Sequence, residues 1–249
     1  MPAPERAPLG AALALLMAVV SLTGSVSPVL MAVAVALLSL LIGIAWPALL
    51  ELPSPAGTRA VVTGTGLLGA LVAVLSPERF SPISGVIMVC AAGVFASFVH
   101  QMLRRQRRDL TASLTGTVAG AFVSGIAASW VLAQTGATTG GTGVLVTAVS
   151  VGLATTLLLN TAPLPAAARL VLSIAAGAAV TAALAIVLAG VAPLFAVVTG
   201  LVTAIGAACA HLLAGSSLVA KESVPSLAVA AVPVATVGVV AHLTVLLLG

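Results

Sequence analysis

The stretch "HQMLRRQRRDL", His100 to Leu110, sets four arginines within five positions of a 249-residue chain in which only 6% of residues are charged and 61% are hydrophobic. On either side the sequence is apolar for about 20 residues, the length of helix that crosses a bilayer core. The basic island therefore reads as a turn between two membrane spans. Its neighbours repeat the pattern: apolar runs rich in Ala, Leu, Val and Gly follow one another, with breaks at Pro, Gly and charged residues.

A mean hydropathy of +1.31 is far above what a water-soluble core can hide. The runs show no period-2 alternation, so helices fit and an outer-membrane barrel does not. The fold class expected is an all-α transmembrane bundle. A formal charge of +4 does not point to nucleic acid, because aromatic residues are 3% and the basic residues are scattered over separate loops. Arg outnumbers Lys eight to one in an Ala, Gly and Val-rich chain, a composition typical of a bacterial genome of high GC content.

Nine spans are expected, at approximately 9–23, 28–46, 59–75, 83–103, 112–134, 143–160, 169–189, 193–214 and 226–248. The first run is short and follows Arg6, as in a signal peptide, but its exit "SLTGSVSP" carries no A-x-A-like cleavage site, so an uncleaved first helix is expected. With "RRQRRD" placed inside, Arg6, Arg59, Arg169 and Lys221 join Arg104, Arg105, Arg107 and Arg108 on the cytoplasmic side, leaving only Arg79 outside. The expected location is the plasma (inner) membrane, N-terminus cytoplasmic and C-terminus external. Trp46 and Trp130 fall near span ends, where an indole prefers the headgroup region.

The chain also carries an internal echo. "PSPAGTR" at Pro53–Arg59 returns as "PLPAAAR" at Pro163–Arg169, offset by 110. The returning helices then open at Pro82 and Pro193, His100 pairs with His211, Asp109 with Glu222, Ser113 with Ser226 and Gly125 with Gly238. Residues 28–134 (spans two to five) and 143–249 (spans six to nine) read as two copies, preceded by an extra helix within residues 1–27. Four helices return the chain to its starting side, so the expected arrangement is a 4+4 parallel tandem repeat, a plan some transporter folds use to place a solute path between the copies.

Few motifs in the chain carry chemistry. "GTGLLG", Gly64–Gly69, matches a dinucleotide fingerprint only formally, since it has no strand before it. Inside a membrane helix such glycines let backbones approach, as do the four-residue ridges Gly116, Gly120, Ser124, Ala128 and Ser173, Gly177, Thr181, Ala185. His100 and His211, with Arg59 and Arg169, are repeat-related polar candidates at matching depths. A metal usually takes three or four ligands, and no span supplies an Asp or Glu to complete a set. No cofactor or metal is expected. Cys90 and Cys209 read as buried small apolar residues. Gly120 and Pro233 occupy aligned positions and form a candidate hinge pair.

In span number and basic inner turn the chain loosely resembles the CDP-diacylglycerol synthases, but it lacks the acidic metal-binding signature that family implies near the C-terminal region, and no serine-nucleophile elbow occurs. An enzyme is not expected. The function expected is a small permease-like transporter for a neutral or lipid-like solute. The alternative is a non-catalytic scaffold or accessory subunit that binds a membrane-protein partner. The arginines of the basic turn are expected to hold anionic lipid headgroups, each contributing about 1 kcal/mol near such a surface. Replacing Arg104, Arg105, Arg107 and Arg108 together with neutral residues is expected to weaken the topology, read as altered accessibility of loop cysteines from the two sides of the membrane.

Overall fold

The fold of the chain, taken from a computed structural model, is described for residues 7–23, 26–75, 82–104, 109–140 and 142–248. Arg6, Arg79, Arg105, Arg107 and Arg108 lie outside the described residues. Ten helical segments account for almost all of what is described: α1 (Ala7–Ser21), α2 (Ser27–Leu49), α3 (Pro55–Leu75), α4 (Pro82–Leu103), α5 (Leu110–Ile126), α6 (Ser129–Gly140), α7 (Gly143–Leu159), α8 (Ala166–Ala189), α9 (Pro193–Gly215) and α10 (Pro225–Leu248). α5 and α6 form one apolar run, Leu110–Gly140, so the ten segments make nine rods. Seven of these are long and apolar enough to cross a membrane; α1 and α7 are shorter apolar helices. The chain is a polytopic helical bundle.

Local chemistry explains the boundaries. α3, α4, α9 and α10 each open on a proline, which lacks the N–H that a first turn would leave unpaired anyway. α8 stops at Gly190, whose φ of 64° suits a residue without a side chain; its N–H and that of Val191 close on the Ile186 and Ala185 carbonyls at 3.1 Å. Between α5 and α6 the bonds tighten to three-residue spacing, with Ala128 N–H on the Gly125 carbonyl and Val131 N–H on that of Ala128. A straight 31-residue helix would be about 46 Å long, longer than the apolar slab, and the regular helix is interrupted at Ala127–Ala128. The run thus extends past the expected end at 134, and the break falls seven residues beyond Gly120.

α10 is the central post. It touches α1, α2, α5, α6, α7 and α9. It is buried over most of its length, with Leu243, Leu246 and Leu247 exposed towards its end. α1, counted apart from the two copies, packs against α7 and α10 and buries Ala14 and Met17 fully. The outer surface is apolar: Met88, Phe95, Val187 and Leu194 are all more than half exposed, as side chains facing acyl chains are expected to be.

Both tryptophans are buried between helices. Trp130 is fully buried and its indole N–H donates to the Val234 carbonyl at 2.7 Å. Its ring covers Gly238, where an added Cβ would come within 2.6 Å of it. Trp46, 8% exposed, donates to the Gly116 carbonyl at 2.7 Å and covers Gly120. Position along a span is not exposure: an indole that finds a backbone carbonyl on a neighbouring helix has no need of the headgroup layer. Cys90 is buried as expected, against Gly125, whereas Cys209 is exposed on the outer side of α9.

Small residues set the helix spacing. The ridges Gly116, Gly120, Ser124 and Ser173, Gly177, Thr181 are buried. Between α7 and α8 the fit is reciprocal: a side chain at Gly152 would strike the Thr181 hydroxyl, and one at Gly177 would strike that of Thr156. Each added Cβ would also lie 2.9 Å from the other glycine's carbonyl oxygen. Lipid tails are as apolar as these helices, so close backbone contact supplies the attraction that water would supply elsewhere. Gly64 and Gly206 face open space. Gly152→Ala and Gly177→Ala are each expected to cost about 1–3 kcal/mol by overpacking, whereas Gly64→Ala and Gly206→Ala leave stability unchanged or raise it; thermal unfolding in detergent reads the difference.

Candidate functional site

At the end of the bundle that carries Arg59, Arg104, Arg169 and Lys221, α2 terminates at "LLELP". The Leu52 N–H reaches back to the Pro47 carbonyl at 2.9 Å and the Glu51 N–H to that of Ala48 at 3.4 Å, a six-to-one and five-to-two closure of the helix end. Glu51, exposed, sits in the left-handed position of this closure at φ 51°. Across from it α9 ends at Gly215, and the Ser217 hydroxyl donates to the Leu49 carbonyl at 3.0 Å, joining two segments 168 residues apart.

Between these ends lies a cavity of about 580 Å³. Trp46, Leu49 and Leu50 of the α2 end and Val123 of α5 form one side; Ala210, Leu213 and Ala214 of α9 with Val232 of α10 form the other. Its polar groups are few: the Glu51 carboxylate and the hydroxyls of Ser216, Ser217 and Thr236. Ser216 donates to the Leu213 carbonyl at 2.7 Å, and Thr236 to those of Val232 and Pro233 at 3.1 Å. All three hydroxyl protons are therefore committed to backbone oxygens.

The residues singled out in the sequence lie elsewhere. His100 is half-buried over Gly57, where a side chain would strike the imidazole. Arg104 is half-buried too: its Nη1 donates to Gln101 Oε1 at 2.8 Å and to Ser113 Oγ at 3.0 Å, while Gln101 Nε2 donates to the same Ser113 Oγ at 2.9 Å. This guanidinium ties the end of α4 to the start of α5. His211 interacts with the Val229 backbone, whose carbonyl has no helical donor because position 233 is proline, and Arg169 lies near it. The two histidines thus occupy matching helix ends but rest on different partners. Arg59 is exposed. Among the described residues no three His, Cys, Asp or Glu side chains come together as a metal site. Gly120 lies beneath Trp46, and Pro233 lies inside α10 between the cavity residues Val232 and Thr236.

Sequence reasoning passed over Glu51 because it looks for acids within spans. The available signal was a lone carboxylate in the break between two apolar runs. It also passed over a second cluster, at the opposite end of the bundle. There Gln134, fully buried, donates from Nε2 to Ser27 Oγ at 2.8 Å and to the Ser21 carbonyl at 3.2 Å, and Ser21 Oγ meets Thr147 Oγ1 at 2.6 Å. One amide thus ties α1, α2 and α6 together, with α7 joined through Ser21.

The apolar rods, joined by short turns among the described residues, define the class: a multi-pass membrane protein. No protein-family model, curated protein or solved structure matches the chain. Gln134→Leu is expected to lower stability by about 0.6–2 kcal/mol, the range for an interhelical hydrogen bond in a membrane. The loss should appear in thermal unfolding, with cysteine labelling of the distant cavity unchanged.

Proposed function

We propose that the chain is a small, non-enzymatic permease-like transporter for a neutral or lipid-like solute, in the bacterial plasma membrane with its N-terminus cytoplasmic, C-terminus external and basic turns against anionic headgroups. The observation that carries this reading is the place of the cavity: α2 and α5 on one side and α9 and α10 on the other belong to the two proposed copies of the four-helix unit. Parallel-repeat transporters hold solute at such a boundary. A largely apolar volume of about 580 Å³ lies in the range for small-molecule sites and suits an acyl or other apolar body with one polar end. Pro233 stands beside the cavity in α10, so a change of bend there would move one wall.

A scaffold is the second reading, favoured by Gly64 on α3 and Gly206 on α9, both facing open space where a helix of another protein could dock.

Purification from native membranes followed by native mass spectrometry separates the two. For a permease, a co-purifying amphiphile is expected at near one per chain and is lost in Ala210→Phe, which fills the cavity. Thr236→Cys, in a chain lacking Cys90 and Cys209, is expected to react with a water-soluble maleimide. A stoichiometric protein partner retained in Ala210→Phe, together with an unreactive Thr236→Cys, would overturn the permease reading.

A further inference from the structure

We propose that the cavity selects an amphiphile whose polar end is a primary ammonium, held by the Glu51 carboxylate and the acceptor-only rim formed by Ser216, Ser217 and Thr236. The inference rests on the permease reading above and narrows its solute to one chemical class.

The first support is donor and acceptor accounting. A hydroxyl has one proton to give and two lone pairs to receive with. Here each rim proton is given away to a backbone carbonyl: Ser216 to Leu213, Ser217 to Leu49, Thr236 to Val232 and Pro233. What these groups have left for a ligand is lone pairs. The fourth polar group, an ionised Glu51, is acceptor-only as well. A phosphate, sulfate or carboxylate head would find no side-chain donor among these four groups, whereas each of them can accept a hydrogen bond from an ammonium N–H.

The second support is the field of the backbone. α2 and α9 both end at this cavity, at Leu49 and Gly215. Helix C-termini carry partial negative charge and favour cations. Two such ends meet at the cavity, so these dipoles and the Glu51 carboxylate favour the same sign of ligand.

The third support is that Glu51 is costly where it stands. The left-handed residue after a helix end is ordinarily glycine, because a side chain there is strained; Glu51 occupies it at φ 51°. A carboxylate also meets the wrong end of the α2 dipole. Glycine would relieve both penalties, and local stability therefore gives no reason for glutamate. Strain held at one residue beside a cavity points to function there. Leu49, Leu50, Leu213 and Val232 also line the cavity and offer the apolar wall that an alkyl chain needs.

Trp46 lines the cavity and serves as the reporter. The full-length protein in phosphatidylcholine nanodiscs is titrated with three probes sharing one brominated alkyl chain: 12-bromododecylammonium, 12-bromododecanol and 12-bromododecyl sulfate. Bromine quenches an indole only on contact, and a saturable component separates site binding from partition into lipid. The ammonium probe is expected to quench saturably, at least about tenfold more tightly than the alcohol or the sulfate. Glu51→Gln is expected to weaken it by about tenfold, the loss typical of one charge-assisted hydrogen bond. Glu51→Gly should lose the same binding while unfolding at a higher temperature, which no merely destabilised variant would do. Equal quenching by all three probes, or undiminished ammonium binding in both Glu51 variants, would overturn the ammonium assignment and leave the cavity as a solute site. No saturable quenching by any probe would overturn the permease reading together with it.

Discussion

The bundle depends on the Trp130 indole where it meets α10. Its N–H donates to the Val234 carbonyl and its ring packs against Gly238, so one side chain both bonds and fills at the centre of the last helix. α10 is the element that α1, α2, α5, α6, α7 and α9 all touch. Seating Trp130 on it therefore fixes the first half of the chain against the second. In water the hydrophobic effect would drive such a contact; inside a bilayer it must come from packing and from a hydrogen bond that has no competing solvent. Trp46 repeats the device one layer away, bonding to Gly116 and covering Gly120. Both indoles thus work as spacers between helices.

The same scarcity of solvent governs the polar side chains. A hydroxyl in a membrane helix gives its proton to the carbonyl three or four residues back because nothing better is within reach. Ser39, Thr117, Ser150 and Thr244 all do so at 2.7–2.8 Å. The consequence is chemical as well as structural: once its proton is committed, a hydroxyl facing a cavity is an acceptor. Ser216 and Thr236 take their acceptor character from this rule, and Ser217 has the same character because its proton goes to the Leu49 carbonyl of α2. The Arg104 guanidinium, by contrast, brings donors, and it spends two of its contacts on Gln101 and Ser113.

Much of the plan was legible along the chain. Nine apolar runs, broken at prolines that open helices and at charges that stay at the ends, are visible because a bilayer imposes a length and a polarity on every crossing. The buried ridge Gly116, Gly120, Ser124 follows from helical spacing alone. The burial of the tryptophans was not legible, because distance from a span end does not reveal whether a neighbouring helix covers the ring. The exposure of Cys209 was hidden for the same reason: in a helix apolar on all sides, composition does not mark the face turned to lipid. His100 and His211 align in sequence but rest on Gly57 and on the Val229 backbone, since partners are chosen by adjacent helices and not by alignment.

What the sequence determined by itself is a membrane-spanning helical chain with its charges gathered at the span ends, because burying a charge or an unpaired backbone group in hydrocarbon is too costly for any other arrangement to compete. What only the tertiary structure decided is which ends meet. Leu49 and Ser217 are 168 residues apart, and nothing local to either draws them together. Their contact, and the cavity between Glu51 and α9, arise because α10 seats against α2, α5, α6 and α9 at once. Helix-to-helix register is set by the shapes of small residues, glycines and rings summed over many interfaces, a property of the packed bundle that no single segment contains.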